Sequence, residues 1–294
     1  MASLKEVKTR IASVNSTRKI TCAMKMVASS KLHRAQQAIE AMRPYERRLS
    51  HMLTTFVASM EGSAETPYAA EREVKRVAIA LYTSNSSLCG GFNANAIKAF
   101  HQHVAAYRSA GVEIVEVIPI GKKAADAVRK AGFAFTDDHA ALLDHPSYEP
   151  AAAVAAHLME MYVSGAIDKA ELIYHHFVSA GTQQLVTEEM LPFSLSAGQG
   201  GEEIASPHSP ALNFIVEPSP AEVLSQLIPR SLHLKVYTAL LDSLASEHAA
   251  RVIAMQVATD NADELLRELT LTYNKTRQQA ITAELLDIVG GSMQ

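Results

Sequence analysis

LKEVKTRIASVNSTRKITCAMKMVASSKL, residues 4–32, opens the heptad pattern that decides the fold. One seam reads Leu4, Ile11, Arg18, Lys25, Leu32, Ile39, Glu46, Leu53. The other reads Val7, Val14, Thr21, Ala28, Ala35, Met42, Leu49, Phe56. The offsets alternate three and four, which keeps both seams on the face that a partner helix covers. Roughly 55 residues pass with one proline, Pro44, and no glycine. At about 1.5 Å per residue this helix is on the order of 80 Å long, more than a single globular core needs. Pro44 is expected to bend it locally.

The far end of the chain repeats the pattern. Leu234, Leu241, His248, Met255, Ala262 and Leu269 make one seam; Ala245, Val252, Thr259, Leu266 and Tyr273 make its companion. Glycine is absent from 230 to 289. Pro218 and Pro220 mark the beginning, Pro229 starts or kinks the main helix, and Gly290-Gly291 reads as its stop. Two similarly seamed helices at opposite ends predict one antiparallel coiled coil.

Between them the periodicity changes. After a break at residues 61–68, KRVAIALYT (75–83) is a continuous apolar run, expected as a buried strand. SNSSLCGGFNANAI follows, a turn opening into a helix capped near Asn93. EIVEVIPI (113–120) reads as a strand, 121–132 as a short helix, and 151–166 as another helix. Residues 170–193 read as two strands joined at Ala180-Gly181-Thr182. A loop over 196–212 and a short strand over 213–219 complete the segment. Alternating strands and helices predict an α/β domain with a mainly parallel sheet. The expected organisation is a coiled-coil helix over 1–60, a Rossmann-like α/β domain over 74–219, and a coiled-coil helix over 220–294.

Hydrophobic residues make up 48% of the 294, enough to bury a core. Tryptophan is absent and aromatics are 6%, so Ala, Leu, Val and Met carry the apolar content and favour helices. Cys22 and Cys89 follow no metal or redox spacing, which suggests a reducing compartment. No apolar run approaches the ~18–20 residues of a membrane span, and the first residues lack the apolar core of a signal peptide. A cytosolic bacterial location is expected. Charge is uneven: residues 1–50 hold eleven Lys/Arg against three acids, and residues 51–219 hold ten against nineteen. An internal match between basic and acidic segments and an acidic protein partner both explain this; nucleic acid explains it less well, because no aromatics interleave for base stacking.

The first seam has a fault. Arg18, Thr21, Lys25 and Ala28 take four successive core positions, while Ile20, Met24 and Val27 form an apolar stripe beside them. Either the partner helix is displaced here, or the surface faces another protein, or Arg and Lys snorkel out of an irregular pair. The last helix has a matching oddity. Asn274, Lys275, Arg277 and Gln278 crowd one turn, and Ile281, Leu285 and Ile288 then line up three and four apart. The last helix is expected to outlast the first. Its end then either frays or sits in an apolar sleeve.

Candidate chemistry is thin. SSLCGGFN between strand and helix resembles a phosphate cradle, but it lacks GxGxxG spacing and no GK[ST] follows. Cys89 has no neighbouring His or acid in sequence. His175 and His176 on a strand point to opposite faces, and His101 and His103 on a helix do not share one. No catalytic, cofactor-binding or metal-ligating residue is assigned.

Three blocks together resemble the gamma subunit family of F-type ATP synthases over nearly the whole chain. They are residues 4–32, LCGGFNAN (88–95), and SEHAARVIAMQVATDNADEL (246–265) followed by LTYNKTRQQAITAELLDIVGG (271–291). The resemblance implies a non-catalytic rotor shaft inside a ring of alpha and beta subunits, turned by a membrane proton-translocating ring. By matching positions, Met24 and Lys25 would lie against moving parts of the beta subunits. Arg277 and Gln278 would engage a beta-subunit loop, with Thr282 and Glu284 further along. Ile281, Leu285 and Ile288 would turn in an apolar bearing. The motif Leu88, Cys89, Gly90, Gly91, Phe92 and Asn93 would sit near the epsilon subunit and the ring. The implied location is peripheral, on the cytoplasmic face of the bacterial inner membrane, without cofactor or nucleic acid. Asn85-Ser86-Ser87 stand where the family usually has Asp-Arg-Gly. Cys22 replaces a usual basic residue and Ser16 a usual Asn, and the loop 196–212 is longer than typical. The paired regulatory cysteines of chloroplast forms are absent.

Overall fold

The computed structural model describes residues 3–59, 66–70, 72–193 and 219–291. The loop expected over 196–212 and the strand expected over 213–219 lie outside them, apart from Ser219. The elements are α1 (Leu4–Ser59), β1 (Arg76–Tyr82), α2 (Phe92–Ser109), β2 (Glu113–Ile120), α3 (Lys122–Lys130), α4 (Ala140–Asp144), α5 (Tyr148–Val163), β3 (Lys169–Ser179), β4 (Thr182–Leu191) and α6 (Pro220–Gly291). The fold is the expected one: long terminal helices with a mixed sheet between them. Contacts divide the chain into two compact units, Met1–Ser30 with Arg251–Gln294, and Lys31–Ala250.

In the second unit the sheet order is β2-β1-β3-β4. β1 runs parallel to β2 and β3, and β3 runs antiparallel to β4. A central parallel strand is covered on both faces, which is why β1 reads as an unbroken apolar run. Val77, Ile79 and Leu81 face a core with Ala96, Phe100 and Val104 of α2 and Ala124 and Val128 of α3. Ala78, Ala80 and Tyr82 face a larger core. It holds Val154, Leu158 and Tyr162 of α5, Leu49 and Leu53 of α1, and Leu224, Ile228 and Leu232 of α6. The long helices are therefore part of the sheet's covering layer within this unit. Leu32 and Ile39 then meet Leu241, Ala245 and Ala249, with Phe177 of β3 among them.

α6 begins at Pro220, one of the two prolines expected to mark its beginning, and Pro229 stands inside the helix. Ser219 sets the boundary: its Oγ accepts the N–H of Glu222 at 3.3 Å, and Pro220 fills the first helical position, where no N–H is needed. α5 begins at Tyr148, three residues before the expected 151, because Pro150 is tolerated in a first turn. α4 was not expected; an Asx turn precedes it, in which Asp138 Oδ1 accepts the N–H of Ala140 at 3.0 Å. The β3–β4 turn falls at Ala180-Gly181, as the sequence indicates.

In the first unit, Val7, Thr21 and Ala28 of α1 and Met255 and Ala262 of α6 are buried. Arg18 Nη1 lies 3.0 Å from Asp263 Oδ1, and Thr21 Oγ1 lies 2.9 Å from Thr259 Oγ1. Lys25 Nζ donates to Gln256 Oε1. Numbers rise on one helix as they fall on the other, so the pair is antiparallel. The seam fault is thus a set of polar layers. α6 is within hydrogen-bonding reach at each level, which removes the displaced-helix reading.

Candidate functional site

Two of the exposed apolar regions among the described residues of the first unit coincide with the faults read in the sequence. Beside the polar layers, Ile20 is 60% exposed and Val27 59%. Met24 between them is half-buried, and Lys25 is turned inward to Gln256. Single exposed apolar residues need no explanation, but these three are spaced three and four apart and share one face of α1.

The end of α6 is the larger region. Arg277, Gln278, Thr282 and Glu284 are all exposed, with Thr282 Oγ1 donating back to Gln278 O at 2.8 Å. Ile281, Leu285 and Ile288 are exposed as well, and Leu286 (66%) and Val289 join them. Sequence reading missed the last two because it followed one stripe. Spacing of one and four from Leu285 placed both residues beside it.

The motif 88–93 is built differently. β1 delivers the chain to Thr83 and Ser84, both buried. Leu88 has φ +68 and Gly90 φ +59, so the chain reverses tightly. The reversal leaves Leu88 60% exposed, while Cys89 and Phe92 are buried. Phe92 stacks on His175 of β3, ring centroids 4.4 Å apart. The opposite face of β3 presents His176, which bonds Asp242. The strand separates the two histidines, as its period requires.

Asn93 is not the helix cap. α2 begins at Phe92 with Gly91 in the cap position. Asn93 Oδ1 accepts the N–H of buried Ser84 at 2.9 Å, and its Nδ2 lies 3.2 Å from Cys89 Sγ. A buried N–H has a stronger claim on the amide than a half-solvated helix end. Asn93→Ala is expected to lower stability by about 1–3 kcal/mol, the cost of orphaning that group. Urea unfolding followed by circular dichroism measures it.

Asn85 ties two helix starts together. Its Nδ2 donates to Ala140 O at 2.9 Å, and its Oδ1 accepts the N–H of Lys122 at 3.2 Å. The amide ties the start of α3 to the start of α4. A carboxylate could accept but could not donate.

The residues set aside for chemistry stay apart. Cys89 faces Ser84 and Asn93 rather than a base. Among the described residues no group of three or more His, Cys, Asp or Glu could hold a metal ion, and no helix is long and apolar enough to cross a membrane.

Comparison with known proteins agrees with this arrangement. A sequence profile described as ATP synthase matches residues 3–293. The chain is 58% identical over 293 residues to an ATP synthase gamma chain of Bacteroides fragilis, covering 100% of both. It is 47% identical over 292 residues to that of Flavobacterium johnsoniae, covering 99% and 98%. Its fold resembles a chain in the cryo-EM structure of Euglena gracilis mitochondrial ATP synthase (OSCP/F1/c-ring, rotational state 3). The TM-score is 0.59 at 21% identity, covering 99% of this chain and 93% of that one. The profile match and these full-length relatives, together with the two-helix coil and its inserted sheet, mean that the chain belongs to the ATP synthase gamma chain family.

Proposed function

We propose that the chain is the central rotor shaft of a proton-translocating ATP synthase and performs no chemistry itself. The observation that carries this reading is the apolar end of α6. Ile281, Leu285, Leu286, Ile288 and Val289 stand exposed beyond a turn bearing Arg277 and Gln278. Water is a poor surrounding for such a tip, and an apolar sleeve formed by alpha and beta subunits suits it.

Residues 1–60 and 220–294 act as the shaft, and 74–219 as its foot, near the epsilon subunit and the membrane ring. Met24 lies toward the beta subunits, beside Lys25, whose ammonium is held by Gln256 of α6, and Arg277, Gln278, Thr282 and Glu284 engage a beta-subunit loop. Leu88, raised on its positive-φ turn, is the exposed contact of the 88–93 motif. Rotation shifts the population of each catalytic subunit among its conformations, because each angle presents different contacts. The assembly sits peripherally at the cytoplasmic face of the bacterial inner membrane.

Affinity purification of the tagged chain from its host tests the whole reading. Alpha and beta subunits with ATPase activity are expected to co-purify, and their absence overturns it. Arg277→Ala and Met24→Lys test the contacts. Loss of one charge-assisted bond is worth about 1.5 kcal/mol, so ATP-driven proton pumping should fall about tenfold in Arg277→Ala. Met24→Lys should reduce pumping too, and assembly should survive in both. Unchanged pumping in both would remove the contact assignment.

A further inference from the structure

Four titratable groups meet where α1, α6 and the β3–β4 hairpin pack in the second unit. They are Glu46 of α1, Asp242 of α6, Glu188 of β4 and His176 of β3. Glu188 has partners of its own: Tyr174 donates to its Oε2 at 2.7 Å, and Lys235 Nζ lies 3.0 Å from its Oε1. Arg43 of α1 also faces the group. Asp242 is held by His176 Nδ1, and the Asp242 side chain is only 14% exposed. The His176 side chain is 47% exposed, so it exchanges protons with solvent.

We propose that His176 and Asp242 form a pH-dependent clasp that ties the β3–β4 hairpin to α6 when the imidazole is protonated and loosens as pH rises through the neutral range. Three carboxylates from three elements crowd this junction. Among the described residues, protonated His176 is the cation there whose charge changes near neutrality. Once it is neutral, Asp242 keeps a hydrogen-bond partner but loses the opposing charge.

The titrations run the same way. The hydrogen bond and charge of Asp242 raise the His176 pKa above its ordinary 6.5, with partial burial and Arg43 opposing and Glu188 adding. Glu46 is raised as well, by removal from water and then by Asp242 and Glu188, against Arg43 and His176. A group whose folded pKa is raised stabilises fully below its unfolded value and stops doing so as pH climbs past the folded one. The His176 contribution is therefore complete below 6.5 and fades above its raised value. Its neighbour His175 does not share this. Burial pushes His175 down to about 4, so it stays neutral throughout the window.

Hydrogen exchange on the full-length chain between pH 6 and 8.5 tests the clasp, using protection factors corrected for intrinsic rates. Amides of β3 and β4 should lose up to about tenfold protection across the range, as the charged partner of Asp242 is titrated away. H176Q should be flat, at the level the wild type reaches at high pH. Undiminished protection in the wild type overturns the proposal, as does the same fall in H176Q. If H176Q does not fold, ¹³C-histidine spectra of the wild type and D242N decide. An imidazole that titrates above 6.5 in the wild type should titrate lower in D242N. A wild type with no imidazole titrating above 6.5 overturns the clasp equally.

Discussion

Gly121→Ala should unfold the sheet unit at a markedly lower urea concentration, with a loss on the order of 3 kcal/mol or more. Gly121 joins β2 to α3 at φ +108 and ψ 150, a region open essentially to glycine alone. Strain is only part of the cost. A Cβ there would stand 2.8 Å from the carbonyl oxygen of Thr83 and 2.8 Å from Leu143 Cδ1. Thr83 cannot retreat. Its N–H bonds Ile120 O at 3.0 Å, and its Oγ1 accepts the N–H of Ala124 at 2.7 Å. The Gly121 N–H also bonds Asp138 O at 2.9 Å, which holds the turn from the other side. A midpoint within experimental error of the wild type would show that this corner gives way more easily than its bonds imply.

The second large effect separates two roles inside one motif. Phe92→Ala is expected to cost about 3–5 kcal/mol, the range for truncating a buried aromatic. It removes the ring packed on His175, and Ser246 of α6 donates to the carbonyl of that same His175 at 3.1 Å. The damage should therefore extend into α6 as faster amide exchange around Ser246. Leu88→Ala, four residues earlier, should change stability by no more than about 0.5 kcal/mol, because the side chain is mostly in water. Leu88→Gly should not destabilise at all, since glycine adopts φ +68 without strain. If Leu88→Ala is as costly as Phe92→Ala in the isolated chain, the division into a packing residue and a presented one is wrong. If Leu88→Ala is silent in isolation but weakens assembly, the division holds.

What the sequence disclosed depended on whether the signal was local. The seam Leu32, Ile39 and Leu53 is buried where periodicity placed it, and the run Val77–Tyr82 is a strand covered on both faces. Those patterns repeat, so neighbouring residues vouch for one another. Arg18 and Lys25 broke the pattern, and nothing nearby could say why. Their partners, Asp263 and Gln256, lie more than two hundred residues away. Asn93 misled for the opposite reason. It sits beside a helix start and is a good cap by type, yet Ser84, nine residues back, takes its side chain. The contact residues named on α1 and α6 came from resemblance to the family. Ile20, Val27, Leu285 and Ile288 are exposed, as that role requires.

The polar layers near Arg18 also carry a mechanical consequence. Apolar seams alone tolerate creep: sliding one helix by a heptad, about 10 Å, sets leucine against leucine again. Thr21 forbids it. Moved one heptad either way, its hydroxyl would leave Thr259 and confront Val252 or Leu266. A rod under repeated load therefore returns to one axial zero, and the distance from Met24 to the tip of α6 stays constant from stroke to stroke.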